Sequence, residues 1–389
     1  MKLNLISAAL TGACVFAGVD AQNSSQPNNT QTIGQLLNNT AIPQLSGLSQ
    51  LLKSSSNYSN IVTALNDTSM NYTLFAPNNN ALSALPSNVT GNQSYVDAVL
   101  MYHVLPMAVN TSALPTLSFP NTTLNDSRYV NLGNGVPQVI SVNKNVQNKN
   151  IALYDGAATQ QQPIAVTVAN IEASNGYIHI INGVLVPPQT PSVTAQAFNL
   201  SSFNAFVAAA NATEALDTAT GITIFAPSNQ AISAANSTLS SLNQSQLSNV
   251  LQYHVIPNKV LYTTAFNTST STNYTTLGGG NVTVASAGIT VMATDGTPLV
   301  VRAAANGTVI VNNSTVIIPD ILTSNGVMHV IDYVLIPANT SQGQSNFTGN
   351  QTGSGGGGGS SAGNSLTPDL GLSAVLLSVL VIAGGAFLQ

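Results

Sequence analysis

SNGYIHIINGVLVPP, Ser174 to Pro188, and SNGVMHVIDYVLIPA, Ser324 to Ala338, are two versions of one segment. Asn-Gly favours a two-residue hairpin because both central positions of a type I′ turn want positive φ. Asn175-Gly176 and Asn325-Gly326 therefore predict tight turns, with IAVTVANI as the strand before the first and IIPDIL before the second. On the strand after the second turn, Val327, His329 and Ile331 share one face, since side chains alternate along a strand. That face is apolar, and His179 stands likewise between Tyr177 and Ile181. The expectation is a pair of core imidazoles bonded to backbone, not reagents at a surface.

Working outward, two more blocks recur. YTLFAPNNNAL (Tyr72 to Leu82) is echoed by ITIFAPSNQAI (Ile222 to Ile232), and VLMYHVLP (Val99 to Pro106) by VLQYHVIP (Val250 to Pro257). The order is kept and the offset is about 150 residues, the size of a domain and not of a solenoid repeat. Two homologous units follow, residues 31–188 and 193–338, with Gln189-Thr190-Pro191 as the hinge between them. Leu45, Leu48, Leu51 and Leu52 have helical spacing, as do Leu200, Phe203, Phe206 and Val207 and, later, Leu247, Val250 and Leu251. Pro77 and Pro227, each followed by Asn or Ser, mark helix starts. VNLGNGVPQVISV (Val130 to Val142) and NVTVASAGITVMA (Asn281 to Ala293) alternate and predict strands.

The chain has 389 residues, of which only 5% are charged, against about 25% in ordinary globular proteins. Asn, Ser and Thr take the place of Lys and Glu, and the formal charge is −5. With no basic run, counterion-release binding to nucleic acid has nothing to act through.

Both ends carry address features. Lys2, the apolar run Leu3 to Val19 and the small residues of Val19-Asp20-Ala21 predict a signal peptide over residues 1–21. Cys14, the only cysteine, lies inside it, so the mature chain would hold no disulfide or thiolate. A flexible Ser/Gly/Asn-rich stalk is expected over residues 339–363. Small residues, a polar spacer and the apolar run Leu370 to Leu388 then have the layout of a glycosylphosphatidylinositol signal. It would cover residues 364–389, be removed on maturation, and leave Gly363 or Ser361 as the attachment residue. A plain tail anchor is the alternative.

About two dozen Asn-x-Ser/Thr sequons agree with secretion. Candidates in the first unit are Asn57, Asn66, Asn71, Asn88, Asn92, Asn110, Asn121 and Asn125. The second unit and stalk add Asn199, Asn211, Asn236, Asn243, Asn267, Asn273, Asn281, Asn306, Asn312, Asn339 and Asn346.

FAP followed by Asn or Ser, the Tyr-His pair, and NGxxHxI followed by VLxP resemble the fasciclin domain over both units. The resemblance implies an α+β fold of two tandem domains, each a β-sandwich with packed α-helices. It implies an extracellular adhesion or matrix and cell-wall role, often with a lipid anchor, and no shared enzymatic activity. In animal matrix members adhesion is attributed to the Tyr-His region and to an Asp-Ile pair. Those positions are matched here by Tyr102, His103, Tyr253, His254, Asp320 and Ile321. The first copy departs, with Asn170 before Ile171. Read from the residues alone, an apolar helix running into Tyr-His most simply fastens helix to sheet.

An enzyme fits poorly. General acid–base work and metal binding need clustered His, Asp or Glu, and HxH and HExxH patterns and the GxxxxGK[ST] phosphate loop are missing. No cofactor is expected. The leading expectation is a GPI-anchored adhesive glycoprotein, of fungal type, whose partners are cell-surface, matrix or cell-wall components, protein or glycan. A passive wall glycoprotein or a small-ligand and glycan binder is the alternative.

Overall fold

The computed structural model describes residues 30–38, 42–55, 58–84, 92–157, 162–266, 272–277, 281–284, 290–292, 298–300, 309–311 and 314–337. The expected leader, stalk and carboxyl-terminal signal, with Ser361 and Gly363, lie outside these residues. So do the sequons at Asn57, Asn88, Asn267, Asn306, Asn312, Asn339 and Asn346. The chain divides into two compact units, and Leu124–Gln138 groups with the second.

In the first unit, helices α1 (Ile33–Asn38), α2 (Ser46–Lys53) and α3 (Ser59–Asn66) precede strand β1 (Tyr72–Pro77). Helices α4 (Asn79–Ser83) and α5 (Gln93–Tyr102) then lead to β2 (Val104–Leu105) and β3 (Leu117–Ser118). Strands β4 (Ser141–Lys144), β5 (Ile151–Tyr154), β6 (Ile164–Ala173) and β7 (Gly176–Ile181) complete a sheet of order β2-β1-β7-β6-β5-β4-β3. β1 and β7 run parallel, and the other neighbours antiparallel. The ten-residue β6 is shared: Ile164 and Ala165 pair with β5, while Val166 to Ala173 pair with β7 across two register shifts. A bulge of this kind adds a residue to one strand and bends it.

Alternation along β1 sends Leu74 and Ala76 into a helical core with Ile33, Leu36, Leu48, Leu65 and Leu100. Phe75 points to the other face, where its ring lies 5.5 Å from that of His179. Each fully buried Leu, Ile or Phe contributes roughly 1.5–3 kcal/mol of transfer free energy, so this two-sided sheet is where the stability lies.

The second unit repeats the plan. Helices α6 (Pro191–Ala197), α7 (Ser201–Ala209) and α8 (Thr213–Thr218) precede β8 (Ile222–Pro227). Helices α9 (Asn229–Ala234), α10 (Asn236–Leu239) and α11 (Gln244–Tyr253) lead to β9 (Val255–Ile256). Two short hairpins follow, β10 (Thr272–Thr275) with β11 (Asn281–Val284), and β12 (Thr290–Met292) with β13 (Pro298–Val300). The main sheet is β14-β15-β16-β8-β9, where β14 is Ile310–Val311, β15 Ser314–Thr323 and β16 Gly326–Ile331. Ile224, Ala226, Met328 and Val330 face the helices with Phe203, Phe206 and Leu247. Phe225, Ile331, Val311, Val316 and Leu261 form a second core. The sheet is thus buried on both faces.

The helix starts agree with the prolines: Asn78 and Ser228 cap α4 and α9, accepting from the N–H of Ala81 and Ala231. Two expectations change. Of Val130 to Val142 only the end becomes strand, because Gly133, Asn134 and Gly135 have φ of 89°, 51° and 67°. Three left-handed residues in a row curl the chain out of extension. The hairpins also sit one residue earlier than Asn-Gly predicts. Ala173 pairs with Gly176 and Thr323 with Gly326, which leaves Ser174-Asn175 and Ser324-Asn325 at the turns. Asn175 and Asn325 are not among the residues of positive φ. The glycines answer a different demand: a Cβ on Gly176 would lie 1.8 Å from the Tyr72 carbonyl oxygen, and one on Gly326 would lie 1.8 Å from that of Ile222.

Candidate functional site

Tyr102 ends α5 and His103 is its C-cap. The Tyr102 hydroxyl donates to the Val139 carbonyl at 2.7 Å. His103 Nδ1 lies 2.6 Å from the Val99 carbonyl, one helical turn back, and Nε2 accepts from the Leu185 N–H at 2.9 Å. Because an amide N–H can only donate, the network assigns the proton to Nδ1. The second copy is the same: His254 Nδ1 meets the Val250 carbonyl at 2.7 Å, and Nε2 accepts from the Leu335 N–H at 2.9 Å.

The other pair uses the opposite tautomer. His179 Nδ1 accepts from the Asn170 N–H at 3.0 Å, and Nε2 donates to the Val109 carbonyl at 2.9 Å. His329 accepts from the Asp320 N–H at 3.1 Å and donates to the Leu261 carbonyl at 2.9 Å. Burial pushes His103, His179 and His254 down to about 4, only partly opposed by their carbonyl partners. Burial also lowers His329, against the raising influence of the Asp320 carboxylate. All four are neutral at pH 7 with both nitrogens engaged, so none has a lone pair to offer as a general base.

Asp320 sits on the bulge of β15 with φ of 59°. Its carboxylate accepts from the Thr263 N–H at 2.8 Å and from the Thr263 hydroxyl. Asn170 occupies the matching bulge with φ of 58°. Its carboxamide accepts from the Thr111 N–H at 2.9 Å and donates to the Thr111 hydroxyl at 2.8 Å. Sequence set the two copies apart here, yet Asn and Asp perform one task, holding the short helical turn that begins at Thr111 or Thr263. Ile321 packs into the helical core.

Asn175 and Asn325, at the turns, are buried. Asn175 accepts from the Ile33 N–H at 2.9 Å and donates to the carbonyls of Leu65 and Asp67 at 3.0 and 2.9 Å. Asn325 donates to Leu216 and Ala219 at 2.9 and 2.8 Å. This second bracing role is carried by a side chain, and turn propensity alone gives no sign of it.

The six residues matched to adhesion are therefore inside: Tyr102, His103, Tyr253, His254 and Ile321 are buried, and the Asp320 side chain is 7% exposed. Among the described residues no cluster of three His, Cys, Asp or Glu could hold a metal. No helix among them is long and apolar enough to cross a membrane. Several sequon asparagines do face solvent: Asn71, Asn121, Asn125, Asn199 and Asn211 are exposed and Asn236 is half-buried. Asn273 and Asn281 lie in β10 and β11.

Residues 43–187 and 198–337 each match the fasciclin domain. The chain belongs to the fasciclin family. A fasciclin-like arabinogalactan protein of Arthroderma benhamiae is 26% identical over 307 residues, 77% of this chain and 65% of that relative. Fasciclin-like arabinogalactan protein CTB11 of Cercospora beticola is 26% identical over 276 residues, covering 69% of this chain and 68% of the relative. Fasciclin-like arabinogalactan protein elcF of Phaeosphaeria nodorum is 26% identical over 303 residues, 76% and 85% of the two chains. The chain thus spans about two thirds of the first two relatives. With two matched domains, helices and mixed sheets, this fasciclin pair is α+β.

Proposed function

We propose that this fasciclin protein is a secreted surface glycoprotein that mediates cell adhesion or cell-wall and matrix association. A glycosylphosphatidylinositol anchor at Gly363 or Ser361 would hold it to the outer face of the plasma membrane, and its partners would be protein or glycan components of surface, matrix or wall. One observation carries the reading: both copies spend their histidines, with Asn170, Asp320, Asn175 and Asn325, on internal bracing. What remains to meet a partner is the outer surface. The leader and tail in the sequence, and relatives named fasciclin-like arabinogalactan proteins, support the location. Tandem domains on many anchored copies gain avidity from weak contacts.

Cells displaying the full chain, a variant lacking residues 193–338, and one lacking both domains test this. Attachment should fall more than twofold on loss of one domain, as avidity requires. Unchanged attachment without either domain overturns the adhesive role. Release of the full chain by phosphatidylinositol-specific phospholipase C tests the anchor separately.

A further inference from the structure

Asn92 and Asn243 hold matching places in the two copies, immediately before α5 and α11, and each opens the same sequon, Asn-Gln-Ser. Each is exposed and is the N-cap of its helix. Asn92 Oδ1 accepts from the Tyr95 N–H at 3.2 Å, and Asn243 Oδ1 from the Gln246 N–H at 2.9 Å. Capping uses only the oxygen. Among the described residues nothing accepts from either Nδ2, the atom that an N-glycan occupies.

Asn66 opens the sequon Asn66-Asp67-Thr68 but is placed differently. Its Oδ1 accepts from the Thr32 hydroxyl at 2.8 Å, and its Nδ2 donates to the Val62 carbonyl at 2.8 Å. The amide also lies against α1, where a Cβ on Gly34 would come within 2.5 Å of Nδ2. The second copy shows what the position is for. There Asp217 accepts from the Ser192 N–H and hydroxyl at 2.9 and 2.5 Å, holding the start of α6 as Asn66 holds the residue before α1. An aspartate does this without any amide nitrogen. The requirement is a side-chain oxygen that fastens the first helix, and a bulky sugar has no room beside it.

We propose that Asn92 and Asn243 carry N-glycans, and that Asn66 stays bare in the folded, secreted protein despite its sequon. The inference rests on the secreted-glycoprotein reading. Transfer of the sugar replaces one Nδ2 hydrogen and leaves Oδ1 free to cap, so α5 and α11 keep their first turns. A sugar at Asn66 would push α1 away from α3, and chains so modified would fail to fold and be withheld from secretion.

The test is the full chain secreted from a yeast host, treated with peptide N-glycosidase in heavy-oxygen water and mapped by mass spectrometry. Heavy-oxygen aspartate is expected at 92 and 243, and unmodified asparagine at 66. The variants S94A and S245A, which keep the caps, should each lose one glycan mass and unfold at the same urea midpoint. T68A, which keeps the Asn66 brace, should lose no glycan. A glycan at Asn66 in the secreted fold overturns the proposal, and so do bare Asn92 and Asn243 beside occupied sequons elsewhere. A chain secreted with no glycan at any sequon overturns the glycoprotein reading and this inference together.

Discussion

The Leu335 N–H donates to His254 Nε2 at 2.9 Å, joining residues 81 apart in the chain. It fastens the segment after the last strand of the second domain to the end of α11, and His103 receives Leu185 in the same way.

Removing the ring should therefore cost more than its contacts. His254→Ala leaves the buried Leu335 N–H without an acceptor and opens a cavity, a loss of about 2–4 kcal/mol. His103→Ala should behave alike. Urea unfolding of each variant measures it, and a midpoint equal to wild type would deny the tie.

Acid should weaken both domains by the same route. In the unfolded chain each imidazole titrates near 6.5, while in the fold His103, His179 and His254 titrate at about 4. A lowered folded-state value means that the stabilisation is complete above 6.5 and is lost as pH falls from there to about 4. Each histidine contributes roughly 1.4 kcal/mol per pH unit in that window. Urea midpoints at pH 7 and at about pH 5 should differ accordingly; equal midpoints would mean that the rings are not held neutral.

The bulge pair separates charge from shape. Asp320→Asn copies the first domain and should cost under about 1 kcal/mol, whereas Asp320→Ala strands the Thr263 N–H and should cost about 1–3 kcal/mol. Equal losses in the two variants would show that the carboxylate charge, not the hydrogen bond, is what counts.

Gly176→Ala and Gly326→Ala place a methyl 1.8 Å from a β1 or β8 carbonyl oxygen. Neither strand can retreat without opening the parallel pairing, so each should lose at least about 4 kcal/mol. Secreted yield and thermal unfolding measure it; a wild-type melting curve would refute the close approach.

How far the sequence could be read depended on the range of each force. The repeat, the helix caps at Asn78 and Ser228, and the apolar face carrying His329 are local patterns, legible from spacing. The hairpin position was not. Asn-Gly has the right intrinsic preference, but Asn175 is recruited by Ile33, Leu65 and Asp67, and Gly176 by the approach of Tyr72. Those partners are distant in sequence, so they moved the turn by one residue. Asn170 misled for a related reason. Its difference from Asp320 looked like a lost motif, and only the Thr111 contact shows that the hydrogen-bonding geometry survives the change.

The parallel pairing of β8 with β16, six residues long from Gly326–Ile222 to Ile331–Pro227, has a mechanical consequence. A tug on the carboxyl end runs along β16, so its rungs are strained together in shear and do not peel apart one at a time. Such a geometry suits a molecule that must grip while being pulled.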